Sequence, residues 1–282
     1  MNAFEFASDS NSDEIRCLPF LKWAGGKRWL VEQHTDLFPK SWDRLIEPFV
    51  GSGAVFFGLT PVQAILTDKN ERLIECYLAV KDNWREVGQL LSRHQRKHSD
   101  AYYYEMRAKK FRKPESRAAQ FIYLNRTCWN GLYRVNKKGE FNVPVGTKQN
   151  VVLATDDFEE VSKRLQGAIL MAGDFELAMK QAGKGDFVFV DPPYTVKHNL
   201  NGFVKYNEHI FSWDDQLRLR ESVKEAKARG ANIFVTNACH ESVVRLYEDI
   251  GEIRVLNRAS VISGKASARG RYEEVVIKCF NG

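Results

Sequence analysis

The 282-residue chain predicts an α/β fold, an open and mostly parallel sheet into which a mainly helical segment is inserted. Three observations carry this. Short apolar runs at Leu45-Ile46, Ala64-Ile65-Leu66-Thr67 and Phe187-Val188-Phe189-Val190 have the length and composition of buried parallel strands. Each run stops at an acidic residue: Glu47 before Pro48, Asp68, and Asp191 before Pro192-Pro193. Two prolines cannot continue a central ladder, so Asp191 marks a rim, and ligands of open α/β sheets bind beyond the carboxyl ends of the strands. Between residues 71 and 146 the alternation lapses and no parallel-strand signal recurs.

The elements follow in order. Residues 1–16 are polar and acidic without periodicity and read as a mobile tail. Lys22-Trp23-Ala24-Gly25-Gly26-Lys27 is a turn leading into a helix at Arg28. Residues 45–57 read as strand, tight glycine turn and helix start, with Gly51 and Gly53 letting backbone approach a ligand closely. Leu73, Ile74, Tyr77, Trp84, Val87, Leu90 and Leu91 recur at helical spacing and predict a core face. Basic helices follow, then a hairpin over 134–141 turning at Lys138-Gly139. Alternation resumes with a helix over 156–166, a strand over 168–171, the central strand and a polar loop over 194–209. Ser212-Trp213-Asp214-Asp215 opens a helix in capping-box fashion. A strand at 232–236, a helix at 241–250 and an antiparallel pair at 252–256 and 272–278 close the sheet. The expected organisation is a sheet domain from residues 17–70 and 147–282 around an insert of residues 71–146.

Composition narrows the function classes. With 44% apolar residues the chain can bury a core, and it has neither an 18-residue apolar run nor a secretory signal, so a cytoplasmic protein away from membranes is expected. Cys17, Cys76, Cys128, Cys239 and Cys279 are scattered and odd in number, which argues against a disulfide framework and against a zinc site. The net charge is +6, yet residues 93–138 hold thirteen Lys and Arg against three acidic residues, so the rest of the chain is net acidic. A basic segment interleaved with Tyr102, Tyr103, Tyr104, Phe111 and Trp129 suits a phosphate backbone and its bases, or else forms a solvated helix face. Lys265, Arg269 and Arg271 in the last connection leave the same two readings open.

The rim motifs carry the chemistry. Asp191 and the Pro192 carbonyl offer acceptors for the two N–H bonds of an exocyclic amine, and the Tyr194 ring offers a stacking surface for a planar base. Asp68 ends the strand after the glycine turn, where an acidic side chain holds a ribose hydroxyl pair. Gly173-Asp174-Phe175 ends another strand, so Asp174 reads either as an acceptor for an adenine amine, with Phe175 covering a ring, or as a helix N-cap.

In that order, Phe20-Leu21-Lys22-Trp23-Ala24-Gly25-Gly26-Lys27, Glu47-Pro48-Phe49-Val50-Gly51-Ser52-Gly53 and Asp191-Pro192-Pro193-Tyr194 resemble the Dam family (D12 class) of DNA adenine-N6 methyltransferases. A fourth block, Tyr123-Leu124-Asn125-Arg126-Thr127-Cys128-Trp129-Asn130-Gly131-Leu132-Tyr133-Arg134 followed by Phe141-Asn142-Val143-Pro144-Val145-Gly146, is similar to that family as well. The resemblance spans roughly residues 18–280. It implies a Rossmann-like catalytic sheet dependent on S-adenosylmethionine, with S-adenosylhomocysteine as product and no metal, and a DNA-recognition domain in the insert.

By the same resemblance, Asp191, Pro192 and Tyr194 form the catalytic set. Trp23, Lys27, Glu47, Phe49, Gly51, Gly53, Asp68, Asp174, Phe175 and Asp191 form the cofactor pocket. Lys22, Trp129, Asn130, Leu132, Arg134 and Pro144 contact double-stranded DNA, with Trp129 at an intercalating aromatic position, Lys22 reading the first half of the site and Leu132 and Arg134 the second. The implied target is GATC, its adenine flipped out of the duplex. Trp129 stands where the family usually has tyrosine, and Tyr133 and Val135 also depart from its pattern. Trp129 and Leu132 as core residues, with Arg134 on a phosphate, is the plainer alternative. Carbon-5 cytosine methylation needs a nucleophilic cysteine, usually after a proline, and no cysteine here follows one. Cytosine-N4 or RNA amine methylation remains open, as does a DNA-binding protein of the same fold without turnover. No protein partner is implied.

Overall fold

The computed structural model describes residues 17–136, 138–196, 211–259 and 271–280; the expected tail at 1–16, most of the polar loop after Tyr194 and Lys265 and Arg269 lie outside them. Seven strands form one sheet in the order β3-β2-β1-β4-β5-β7-β6. They are β1 (Arg44–Glu47), β2 (Ala64–Asp68), β3 (Ala168–Ala172), β4 (Asp186–Val190), β5 (Asn232–Ala238), β6 (Glu252–Ala259) and β7 (Arg271–Cys279). The first five are parallel, and β7 runs antiparallel between β5 and β6, as the alternation and the closing pair predict.

β4 is buried along its whole length, which is why it reads as a continuous apolar run and not as an alternation. On one face Phe38 packs against Phe187, Phe189 and Phe234, and on the other Ile46, Val188 and Val190 join Val223, Val243 and Tyr247. From β1 the chain winds outward through β2 to β3, and from β4 it winds the other way through β5. The topological switch point therefore lies between β1 and β4, whose carboxyl ends carry Glu47 and Asp191.

Helices α1 (Arg28–Gln33) and α2 (Ala54–Leu59) flank the first strand. Next come α3 (Glu71–Lys97), α4 (Asp100–Ala108) and α5 (Pro114–Thr127). Asn70 and Ser99 cap α3 and α4 by accepting from Leu73 N and Tyr102 N, and Pro114 opens α5, where its missing N–H is harmless. α3 is broken at Asn83, whose φ of −145° is non-helical. It packs on α5 and on β2, β3 and α6 (Phe158–Leu165), so one hydrophobic cluster runs from the strands into the helical segment. Residues 128–146 return by two antiparallel bridges, Val135 with Phe141 and Cys128 with Val145, with Gly139 at a φ of 76° in the turn. The short α7 (Glu176–Met179), α8 (Trp213–Ala228) and α9 (Glu241–Tyr247) complete the layers, and the capping box predicted at Ser212 and Asp215 is formed.

One buried cation ties the pieces together. Arg126, at the end of α5, makes two 2.6 Å bonds to the carboxylate of Asp156 and donates to the carbonyls of Phe20 and Val151. Fork geometry suits this role, since four acceptor atoms on three residues converge on one planar group.

Candidate active site

A cavity of about 650 Å³ opens at the carboxyl ends of β1, β2 and β4. Its first wall is the glycine turn. Asp68 accepts from Gly51 N at 3.1 Å and Asn70 N at 2.9 Å, fixing the end of β2 against the turn after β1. Tyr77 donates its hydroxyl to the Gly51 carbonyl at 2.9 Å. Gly51 has a φ of 49°, and a Cβ there would lie 2.8 Å from Trp23 Cδ1, so only glycine lets the indole cover the turn. Gly53 has a φ of 66° against Phe57 and Tyr77; it shapes the turn from behind and does not line the cavity.

The second wall is a charged cluster at the end of β4. Lys27 Nζ lies 2.9 Å from Asp191 Oδ1 and 3.5 Å from Glu274 Oε2, donates to the Gly25 carbonyl, and sits 5.0 Å from the centre of the Tyr194 ring. Thr236 donates to Asp191 Oδ1 at 2.7 Å, and Tyr194 donates to Glu274 Oε2 at 2.9 Å. Burial raises the Asp191 carboxyl above the ordinary aspartate range, against the pull of the Lys27 ammonium and the Thr236 hydroxyl. Burial also holds the Tyr194 phenol well above its usual range, helped by the charges of Asp191 and Glu274. Glu47 accepts from Phe56 N at 2.7 Å, and its carboxyl is pushed up to about 8 by burial and, less strongly, by the charge of Asp191.

The third wall is aromatic. Phe49 stacks on Phe175 with centroids 5.5 Å apart, and Phe211 meets Phe49 edge-on. The Arg218 guanidinium stands 5.0 Å from the Phe175 ring centre and bonds Asp174 Oδ1 at 3.0 Å. Asp174 also accepts from Glu176 N at 3.1 Å, so it stands at the head of α7 as well as at the cavity wall.

Comparison with known proteins decides the family. A model of the D12 class of N6 adenine-specific DNA methyltransferases matches residues 23–262. The chain belongs to the D12 class of N6 adenine-specific DNA methyltransferases. It is 37% identical to a type II methyltransferase of Lactococcus lactis subsp. cremoris over 275 residues, 94% of this chain and 96% of that protein. A type II methyltransferase of Methanocaldococcus jannaschii is 35% identical, covering 92% of this chain and 98% of its own. A DNA adenine methylase of Haemophilus influenzae is 32% identical, with coverage of 93% and 94%.

In this D12-class chain Trp23, Lys27, Glu47, Phe49, Gly51, Asp68, Asp174, Phe175, Asp191, Pro192 and Tyr194 all line one cavity. Of the residues implied for DNA, Leu132 lines it too, whereas Lys22, Trp129, Asn130, Arg134 and Pro144 lie outside its wall. Those five are exposed, Trp129 with 51% of its surface open. Lys22 is anchored by Asn125, which accepts from Lys22 N and donates to its carbonyl, both at 2.8 Å. Its aliphatic stem crosses Gly131, where a Cβ would lie 2.8 Å from Lys22 Cδ. Partial desolvation, with the Lys148 ammonium adding to it, lowers the Lys22 ammonium from its ordinary value. Asn130 takes a φ of 54°, and Trp129 N donates to the Pro144 carbonyl at 2.9 Å. Arg134 Nε is held by Asn142 Oδ1 at 2.9 Å.

Three participants went unmarked by sequence reasoning. Glu274 looks like an ordinary residue of a closing strand, Asn125 is one polar residue in a buried helix, and Tyr133 reads as a departure from a pattern. Only Glu274 leaves a local trace, a carboxylate against the run Val275-Val276-Ile277. Among the described residues no group of three or more His, Cys, Asp or Glu side chains could hold a metal ion, and no helix is long and apolar enough to cross a membrane.

Proposed function

We propose that this D12-class enzyme transfers the methyl group of S-adenosylmethionine to the N6 amine of an adenine flipped out of double-stranded DNA, with GATC as its target. The observation that carries the reading is the end of β4: both described contacts to the Asp191 side chain, from Lys27 and from Thr236, fall on Oδ1. That leaves Oδ2 and the Pro192 carbonyl as the acceptor pair for the two N–H bonds of the adenine amine. These acceptors draw the nitrogen toward tetrahedral geometry and stabilise the positive charge that grows on it as it attacks. Tyr194, its hydroxyl tied to Glu274, presents its ring to the base and offsets part of the unstacking cost, about a few kcal/mol.

The cavity fits the cofactor by size and by donor set. Asp68 faces a ribose diol, the Phe49 and Phe175 walls take a planar ring, and the tight Gly51 turn brings backbone close to the ligand. S-adenosylmethionine supplies, when bound, an electrophilic methyl group on a sulfonium. The chain's own groups align the amine with it and keep the site dry. Burial raises the Glu47 carboxyl to about 8, and the bond it accepts from Phe56 N holds it to the N-terminus of α2, so it shapes the loop after β1.

The insert, residues 71–146, reads as the DNA-recognition part. Trp129, exposed beside the positive-φ Asn130, is the intercalating aromatic, and Lys22, Leu132 and Arg134 read bases. The test is to incubate the protein with S-adenosylmethionine and unmethylated DNA and map each modified base. N6-methyladenine confined to GATC supports the whole reading. N6-methyladenine elsewhere keeps the catalytic assignment and overturns the readout by Lys22, Leu132 and Arg134. N4-methylcytosine or no product overturns the proposal.

A further inference from the structure

The aromatic run Tyr102-Tyr103-Tyr104 suits stacking on bases when read as sequence, but its central residue does something else. Tyr103 is 0% exposed, set in α4 edge-on to Tyr104 and against Tyr123 of α5, so its ring is closed to DNA. Its hydroxyl donates to the Val143 carbonyl at 2.9 Å and reaches the Pro144 carbonyl at 3.4 Å. One helical turn on, Arg107 Nη1 donates to the same Val143 carbonyl at 3.0 Å.

Val143 and Pro144 belong to the segment on which Trp129 is mounted. The Pro144 carbonyl accepts from Trp129 N at 2.9 Å as well as from Tyr103, so one oxygen joins a buried hydroxyl to the backbone of an exposed indole. Cys128 bridges Val145, and Gly146 N donates to the Thr127 carbonyl at 2.7 Å. A Cβ at Gly146 would lie 2.5 Å from the Cys128 oxygen, so the two backbones are in direct contact. The segment thus carries Trp129 on one side and is held by α4 on the other. A side chain that parts stacked bases works against the stacking energy, and its backbone must hold.

We infer that Tyr103, with Arg107 beside it, is a positioning residue for Trp129: it braces the Val143-Pro144 carbonyls so that the indole keeps its place in the duplex while the target base leaves the stack. The inference rests on the reading of Trp129 as the intercalating aromatic. Tyr103→Phe tests it narrowly. The ring stays, the Val143 carbonyl keeps Arg107 and the Pro144 carbonyl keeps Trp129 N, so neither acceptor loses its last donor.

The experiment saturates DNA with the full-length protein and follows 2-aminopurine, which brightens on unstacking, in place of the adenine that the wild type methylates. One duplex has the probe paired, and a second has it opposite a mismatched base, where extrusion costs less. Tyr103→Phe should lower the extrusion equilibrium on the paired duplex about two- to tenfold, the range of one lost hydrogen bond, and stay within about twofold of wild type on the mismatched one. Its affinity for S-adenosylmethionine should also stay within about twofold. Should the phenylalanine variant not fold, Arg107→Met removes the other donor to Val143 and should give the same selective fall. A paired-duplex signal equal to wild type overturns the inference. So does an equal fall on both duplexes, or a larger loss of cofactor affinity, either of which would assign the bonds to the general shape of the insert. Wild-type protein that does not brighten the probe, or Trp129→Ala that extrudes it as well as wild type, overturns the reading of Trp129 itself, and the inference with it.

Discussion

The indole of Trp23 and the ring of Tyr133 stack with centroids 5.7 Å apart and planes 21° apart, so the cavity wall rests directly on the hairpin that carries Arg134. Tyr133 also meets Phe121 and Phe141, which seat the hairpin on the helical segment. Stacked aromatic pairs contribute about 0.5–1.5 kcal/mol beyond their area. Tyr133→Leu should therefore weaken S-adenosylmethionine binding by roughly two- to tenfold, and should lose the same factor less in a Trp23→Leu background. Isothermal titration of the four proteins measures the coupling; additive effects would show that the stack transmits nothing.

Arg134 is exposed, with its Nε held by Asn142 Oδ1 at 2.9 Å. Arg134→Ala should relax preference at one base position by about 1–3 kcal/mol. Competition binding with single-base variants of the target reads this directly. Equal weakening on all sequences would assign Arg134 to a phosphate.

Arg126 and Asp156 form a buried pair, with Arg126 1% exposed. Arg126→Ala strands a buried carboxylate and frees the Phe20 and Val151 carbonyls, so it should cost about 3–5 kcal/mol in urea denaturation. A loss below about 1 kcal/mol would mean that the site relaxes around water.

Glu47 makes stability fall as pH rises. Its carboxyl is raised from the ordinary 4.5 to about 8 in the fold, so between those values the unfolded chain has released a proton that the folded chain still holds. This contribution is fully present below about pH 4.5 and is lost as pH climbs through about 8. Glu47→Gln, measured without cofactor, should gain stability relative to wild type across that window. A constant difference between the two from pH 5 to 8 would contradict the shift.

Much of this was legible because local chemistry and global fold agree. The apolar run at Phe187-Val188-Phe189-Val190 is one because β4 is buried on both faces, and Ser212 with Asp215 caps a helix wherever the next turn is helical. What was hidden depends on pairing across long separations. Glu274 acquires meaning only when β7 enters the sheet antiparallel beside β5, and Asn125 only when α5 meets Lys22 from 103 residues away. Asp174 reads as a rim acceptor or a helix N-cap, and its partner Arg218 emerges only when α8 packs beside it. No local pattern encodes a partner that the topology supplies.

Single-turnover methylation by Asp191→Asn, run beside DNA binding by the same protein, tests the central claim most directly. Asparagine keeps the size of the side chain and loses the acceptor charge, so methylation should fall by about 10²–10³ while DNA affinity stays within about twofold. A variant that methylates within tenfold of wild type, or that loses DNA binding along with turnover, would contradict the assignment of Asp191 to the adenine amine.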